Sequence, residues 1–161
     1  MHSILLIFCL SFFSFMMPAL ADTEHPFMPD SNVQKVAEAY ALDAVDFAKE
    51  QFNISLDWSD ASIAKVEQSL AMMHLSFLTT NPRPTEEQTM AVAKAFGSYV
   101  GEVYRKNHGG SWGIFSLNGQ QYPGLQATSG VNFWPWGRAH NRIFQGPENN
   151  IADYYRALLE K

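Results

Sequence analysis

The chain has 161 residues, a formal net charge of −5 and one cysteine, Cys9. A mildly acidic protein with scattered Lys and Arg lacks the electrostatic footprint that nucleic acid or anionic lipid requires, so both are poor partners. Cys9 lies in an amino-terminal segment expected to be cleaved, so the mature chain would have no cysteine, which removes disulfides, thiol nucleophiles and cysteine metal sites together.

Residues Ile4 to Met17 are apolar apart from Ser11 and Ser14, and Pro18-Ala19-Leu20-Ala21 follows. The run is too short to span a bilayer comfortably, and Ala19-Leu20-Ala21 has the small-x-small pattern of a cleavage site. The expectation is a signal peptide over residues 1–21, cut after Ala21. The mature chain would then be periplasmic or secreted, with no transmembrane span. Residues 22–30, with Pro26 and Pro29, read as a flexible leader. Residues 31–161 read as one domain, and about 140 mature residues can hold a core without covalent staples.

Asp30 or Ser31 caps a first helix to about Phe52, in which Val36, Tyr40, Ala44 and Phe47 or Ala48 recur at helical spacing. Ser59 or Asp60 starts a second, where Ile63, Val66, Leu70, Met73 and Phe77 keep a three-four spacing without a slip. After the stiff connector Pro82-Arg83-Pro84, Thr85 and Gln88 form a capping box for a third helix that runs to Asn107. Arg105 and Lys106 lie in its last turn, on the favourable side of the dipole, ahead of Gly109-Gly110. Within it, Ala93, Gly97 and Gly101 fall one turn apart and make a stripe of small residues. Glycine inside a helix costs about 1 kcal/mol against alanine, so close packing on that stripe is expected to offset it.

The period then changes. Trp112 to Leu117 reads as a strand, Asn118-Gly119 as a two-residue hairpin turn, and Gln120 to Thr128 as the returning strand. Pro123 and Gly124 mark that return as an edge or bulged strand. Val131 to Trp136 reads as a third strand or an extended arm. Arg138 to Phe144 forms a short helix, and Ile151 to Leu159 a last one, with Ile151, Tyr154 or Tyr155, and Leu158 facing inward. The predicted fold is a single α+β domain: three antiparallel helices, a small antiparallel sheet laid on the small-residue stripe of the third, and C-terminal helices.

Three pieces in order carry a likeness to known sequences: Leu56-Asp57-Trp58-Ser59-Asp60-Ala61-Ser62-Ile63; Gly97-Ser98-Tyr99-Val100-Gly101-Glu102-Val103 closing on Gly110-Ser111-Trp112; and Pro135 followed by Arg138, Arg142 and Gly146 ahead of Tyr154-Tyr155. Over most of the length after Asn32 the chain resembles a group of uncharacterised bacterial proteins. The resemblance implies a shared fold and a periplasmic address, and it brings no catalytic residues with it.

The search for chemistry is mostly exclusion. Ser111 lacks the Gly-x-Ser-x-Gly elbow and follows a helix where that motif needs a strand. His25, His74, His108 and His140 are scattered, with no His-Glu-x-x-His pair, acidic calcium loop or phosphate-cradling glycine loop, so no metal or cofactor is expected. Glu102, one residue from the small stripe, is the single candidate for an acid or base in glycan or peptide hydrolysis. Its competing reading is an ion pair with Arg138 or Arg142 that pins the arm to the third helix. The aromatic run Phe133-Trp134-Pro135-Trp136, together with Trp112, is the other candidate. Extended, it would put Trp134 and Trp136 on one face, either capping the core or lining a groove edged by Arg138, His140 and Arg142. The sequence therefore reads as an exported protein that binds another envelope protein, an immunity or inhibitor protein against an envelope toxin being the concrete version. The alternative is an envelope hydrolase using Glu102.

Overall fold

The computed structural model describes residues 26–161. The expected signal peptide lies outside them. Asp30 accepts hydrogen bonds from the amides of Asn32 and Val33 and so starts α1 (Ser31–Phe52), which ends where Asn53 turns left-handed. The buried stripe of α1 is Ala37, Ala41, Ala44 and Ala48. That is one position round from the expected Val36, which is exposed. Four alanines let two helix backbones approach, and a valine in the same seat would hold them apart.

A 3₁₀ turn (Asp60–Ser62), capped by Ser59, feeds α2 (Ile63–Thr79), whose Ile63, Val66, Leu70, Met73 and Phe77 are buried as their spacing predicts. The Thr85–Gln88 capping box opens α3 (Glu86–His108), which is buried on every side from Ala95 to Tyr104. α3 is thus the centre of the molecule. α1 lies along it, and α4 (Pro135–Phe144) packs on it as well. α2 packs on α4 and on α5 (Ile151–Leu159) and scarcely touches α3, so the first three helices do not close a bundle among themselves.

The sheet has four antiparallel strands in the order β1 (Phe27–Pro29), β2 (Ser111–Leu117), β3 (Gln120–Gln126) and β4 (Asn132–Phe133). Asn118 and Gly119 both take positive φ, 52° and 77°, as a two-residue hairpin of this hand requires. Two expectations are corrected here. The leader is not wholly free: Phe27 pairs with Phe115 across β1 and β2, and the Pro26 carbonyl accepts from the Ser116 amide at 3.1 Å. The edge of β2 offers backbone partners, and Phe27 gains an aromatic neighbour, with its ring centroid 4.7 Å from that of Phe115. The second correction concerns the arm, of which only Asn132–Phe133 is extended. Pro135 occupies the first helical turn, where its fixed φ is already helical, so Trp134 and Trp136 are not alternate residues of a strand.

The small stripe of α3 receives close neighbours as expected, but the sheet supplies only one of them and α4 the other, with β2 lying mainly on α1. A Cβ on Gly97 would lie 2.6 Å from the Pro135 carbonyl oxygen, and one on Gly101 would lie 2.2 Å from Cζ2 of Trp112. Between Asp57 and Asp60 the chain is held to the same helix. The Trp58 amide donates to Tyr99 Oη at 2.7 Å, the Trp58 ring lies on the Tyr99 ring, and Asn107 donates to the Trp58 carbonyl at 3.2 Å. Trp58, Trp112 and Pro135 therefore meet Tyr99, Gly101 and Gly97 in space as a packing node around α3.

Candidate binding surface

Glu102 is completely buried on α3. Its Oε1 accepts from Trp112 Nε1 at 2.8 Å and from Arg105 Nε at 2.8 Å, and its Oε2 accepts from Arg105 Nη2 at 2.8 Å. Arg105 also reaches Glu38 of α1 at 3.1 Å. The expected partners Arg138 and Arg142 are thus replaced by Arg105, which sits three residues on along the same helix face. Both oxygens of this carboxylate are engaged and neither meets solvent. What it does is hold the Trp112 indole in register against Gly101.

The proposed groove residues divide. Trp112 is 1% exposed and belongs to the core. Trp136 is half-buried, 5.8 Å from Trp112 between ring centroids, with its Nε1 donating to Ser98 Oγ at 2.7 Å. Arg142 is buried and donates from Nε to Glu67 Oε1 at 2.7 Å. The other oxygen of Glu67 accepts from the Ile151 amide at 2.9 Å, so this carboxylate joins α2, α4 and the start of α5. His140 stacks on Phe144 at 5.8 Å, with its Nε2 enclosed. Trp112, Arg142 and most of Trp136 are withdrawn from the candidate groove, because the glycine and serine positions of α3 make room for indoles and Glu67 takes the arginine.

Trp134 and Arg138 remain at the surface, side by side. The alternation of β2 explains what they meet. Trp112 points to the helices, along with its cross-strand neighbours Leu125 and Phe133. Phe115 faces the other way and is not part of that core. It is nonetheless only 1% exposed, because Phe27 and Trp134 lie against it, the latter at 5.0 Å between centroids. Phe115, Leu117, Tyr122 and Trp134 together line a cleft of about 270 Å³ on the outer face of the sheet. Tyr122 and Trp134 are exposed at its rim.

Trp134 also walls a second cleft, of about 320 Å³, with Gly137, Arg138, Asn141, Asn149 and Tyr154. The Arg138 guanidinium sits 4.5 Å from the centre of the Tyr154 ring, with Nη1 at 3.5 Å from Asn149 Oδ1. Tyr154 Oη accepts from the Trp134 amide at 3.1 Å. Burial pushes this phenol above its ordinary value, against the opposing pull of the Trp134 amide and the Arg138 charge. Arg105, Arg142 and Arg156 each hold a carboxylate. Arg138 has none within 4.0 Å among the described residues. No Asp, Glu, Lys or Arg occurs between Lys106 and Arg138, so the whole hairpin is uncharged.

Phe115, Leu117, Tyr122 and Tyr154 were missed by sequence reasoning as contact residues. The signal for the first two was present: strict alternation from Trp112 places Phe115 and Leu117 on the opposite face. A further polar cluster is structural. Asp60 accepts from Asn107 and Tyr155 and pairs with His108 Nε2 at 2.9 Å, tying the 3₁₀ turn to the end of α3 and to α5. Among the described residues no group of three His, Cys, Asp or Glu side chains is placed to hold a metal ion, and no helix is long and apolar enough to cross a membrane.

In fold, this molecule is an α+β domain with five α-helices and a four-stranded antiparallel sheet among the described residues, presenting an aromatic outer sheet face. No protein-family model and no curated protein matches the chain. Among solved structures it is similar to a protein of Bacteroides thetaiotaomicron, with a TM-score of 0.61 at 15% identity, covering 84% of this chain and 47% of that one. The chain spans about half the length of that neighbour, and at this identity the likeness speaks for the fold alone.

Proposed function

We propose that the chain is an exported binding module that engages another envelope protein through the outer face of its sheet. An immunity or inhibitor protein against an envelope toxin is the concrete version. The observation that carries this reading is the aromatic cleft of Phe115, Leu117, Tyr122 and Trp134 on the outer face of the sheet, with Tyr122 and Trp134 exposed at its rim. Exposed aromatic side chains around an apolar pocket are the composition of binding hot spots. The hydrolase alternative would rest on Glu102, a buried carboxylate already bonded to Arg105 and Trp112, which gives it less support than the exposed aromatic face gives a binding role.

The test is affinity recovery of the tagged protein from its own cell envelope, with intact mass to fix the amino terminus, expected at Asp22. One partner at near-equal abundance should accompany the wild type and be absent with a Trp134→Ala, Tyr122→Ser double variant of unchanged melting temperature. Recovery of the protein alone under gentle extraction, or a partner retained by the double variant, refutes the assignment of this face.

A further inference from the structure

Resting on that reading, we infer that the partner presents a large apolar side chain and a carboxylate next to each other, the first seated at Phe115 and Trp134 and the second on Arg138. The two clefts share Trp134 as their common wall, so one short segment can enter both. The first cleft is lined only by apolar and aromatic residues. In the second, Arg138 is the sole charged residue.

Its placement selects the ligand. The guanidinium is held over Tyr154 and beside Asn149, so its fork is oriented before anything binds. It has no acidic partner of its own among the described residues, in a protein that carries an overall charge of −5. A carboxylate satisfies such a fork with two parallel hydrogen bonds. An ammonium group is repelled, and a neutral amide makes only the weaker, uncharged version of the bond. A neutral glycan would stack on Trp134 and Tyr122 but leave the arginine without a counter-charge. The uncharged hairpin adds no second charge to compete, which confines the discrimination to one residue.

The experiment is an NMR titration of the isotope-labelled chain from Asp22 with acetyl-Phe-Glu-amide, acetyl-Phe-Gln-amide and acetyl-Phe-Lys-amide, followed at the Trp134 indole and Arg138 Nε resonances. A chitotetraose titration runs beside it. All three peptides should move Trp134, with the Glu peptide binding roughly five- to tenfold tighter than the Gln peptide and the Lys peptide weakest, in line with the added strength of a charge-assisted bond. Raising the salt should weaken the Glu peptide alone. Arg138→Gln should weaken both peptides, the Glu peptide by the larger factor, and so bring the two to nearly equal affinity. Equal affinities in the wild type overturn the carboxylate inference while leaving the aromatic face standing. No shift at Trp134 with any peptide overturns the binding face as well. Shifts with chitotetraose alone replace the peptide ligand with a glycan.

Discussion

Replacing Glu102 by Gln tests the node on which the rest of the packing depends. Three donors converge on the two carboxylate oxygens: Trp112 Nε1 and Arg105 Nε on Oε1, and Arg105 Nη2 on Oε2. A glutamine keeps the shape but has one acceptor. In its better orientation the amide oxygen retains the first two bonds, and the NH₂ group then faces Arg105 Nη2, donor against donor. Removing one partner of a buried ion pair costs about 3–5 kcal/mol. Arg105 is 22% exposed and keeps Glu38, which places the expected loss at the lower end, about 3 kcal/mol. At roughly 3 °C per kcal/mol for a domain of this size, the melting temperature should fall by roughly 10 °C. Circular dichroism melts and urea unfolding read this directly. Trp112→Phe removes one of the same bonds, so the double variant should lose less than the two single losses together. A Glu102→Gln protein that melts within about 2 °C of wild type would refute the structural role, and if it had also lost a hydrolytic activity the enzymatic reading would return.

Two further predictions concern packing and pH. Gly101→Val should destabilise by about 1–3 kcal/mol or more, because its Cβ would overlap a Trp112 ring that is itself enclosed; an unchanged urea midpoint would contradict the contact. For Asp60, desolvation acts upward, but the bonds from Tyr155, Asn107 and His108 outweigh it and leave the carboxyl below its ordinary 3.8. A lowered carboxyl contributes stability that is complete above that ordinary value and is lost as pH falls through the folded-state value. Asp60→Asn should therefore flatten the acid limb of the urea midpoint below about pH 4. Tyr155 is raised above its ordinary 10.0, first by burial and then by Asp60, so the stability linked to its proton is complete below that value and is lost as pH rises past it. Tyr155→Phe should flatten the alkaline limb, and identical alkaline limbs would remove Tyr155 from the account.

Local signals in the sequence were enough for most elements. The Asp30 cap, the Thr85–Gln88 box, the unbroken stripe of α2 and the Asn118-Gly119 turn each act within a few residues, so their outcome does not depend on distant parts of the chain. The stripe of Ala93, Gly97 and Gly101 also announced a close approach. What approached was legible only in three dimensions, where Pro135 and Trp112 arrive from distant positions. The same limit explains the candidate site. Aromatic residues at 112, 134 and 136 look alike in sequence. Their fates differ because Gly101 opens a seat for one indole, Ser98 bonds another, and the helix that starts at Pro135 turns Trp134 outward onto Phe115. Arginine pairing follows the same rule: Glu102 went to Arg105 and Glu67 to Arg142, leaving Arg138 without a carboxylate among the described residues. The sequence by itself determined the α+β architecture, the starts of α1 and α3, the stripe of α2 and the hairpin turn, through short-range hydrogen bonding and periodicity. Only the tertiary structure decided which polar and aromatic side chains are core and which are surface, because burial and ion pairing depend on which residues distant in the chain are brought within a few ångströms.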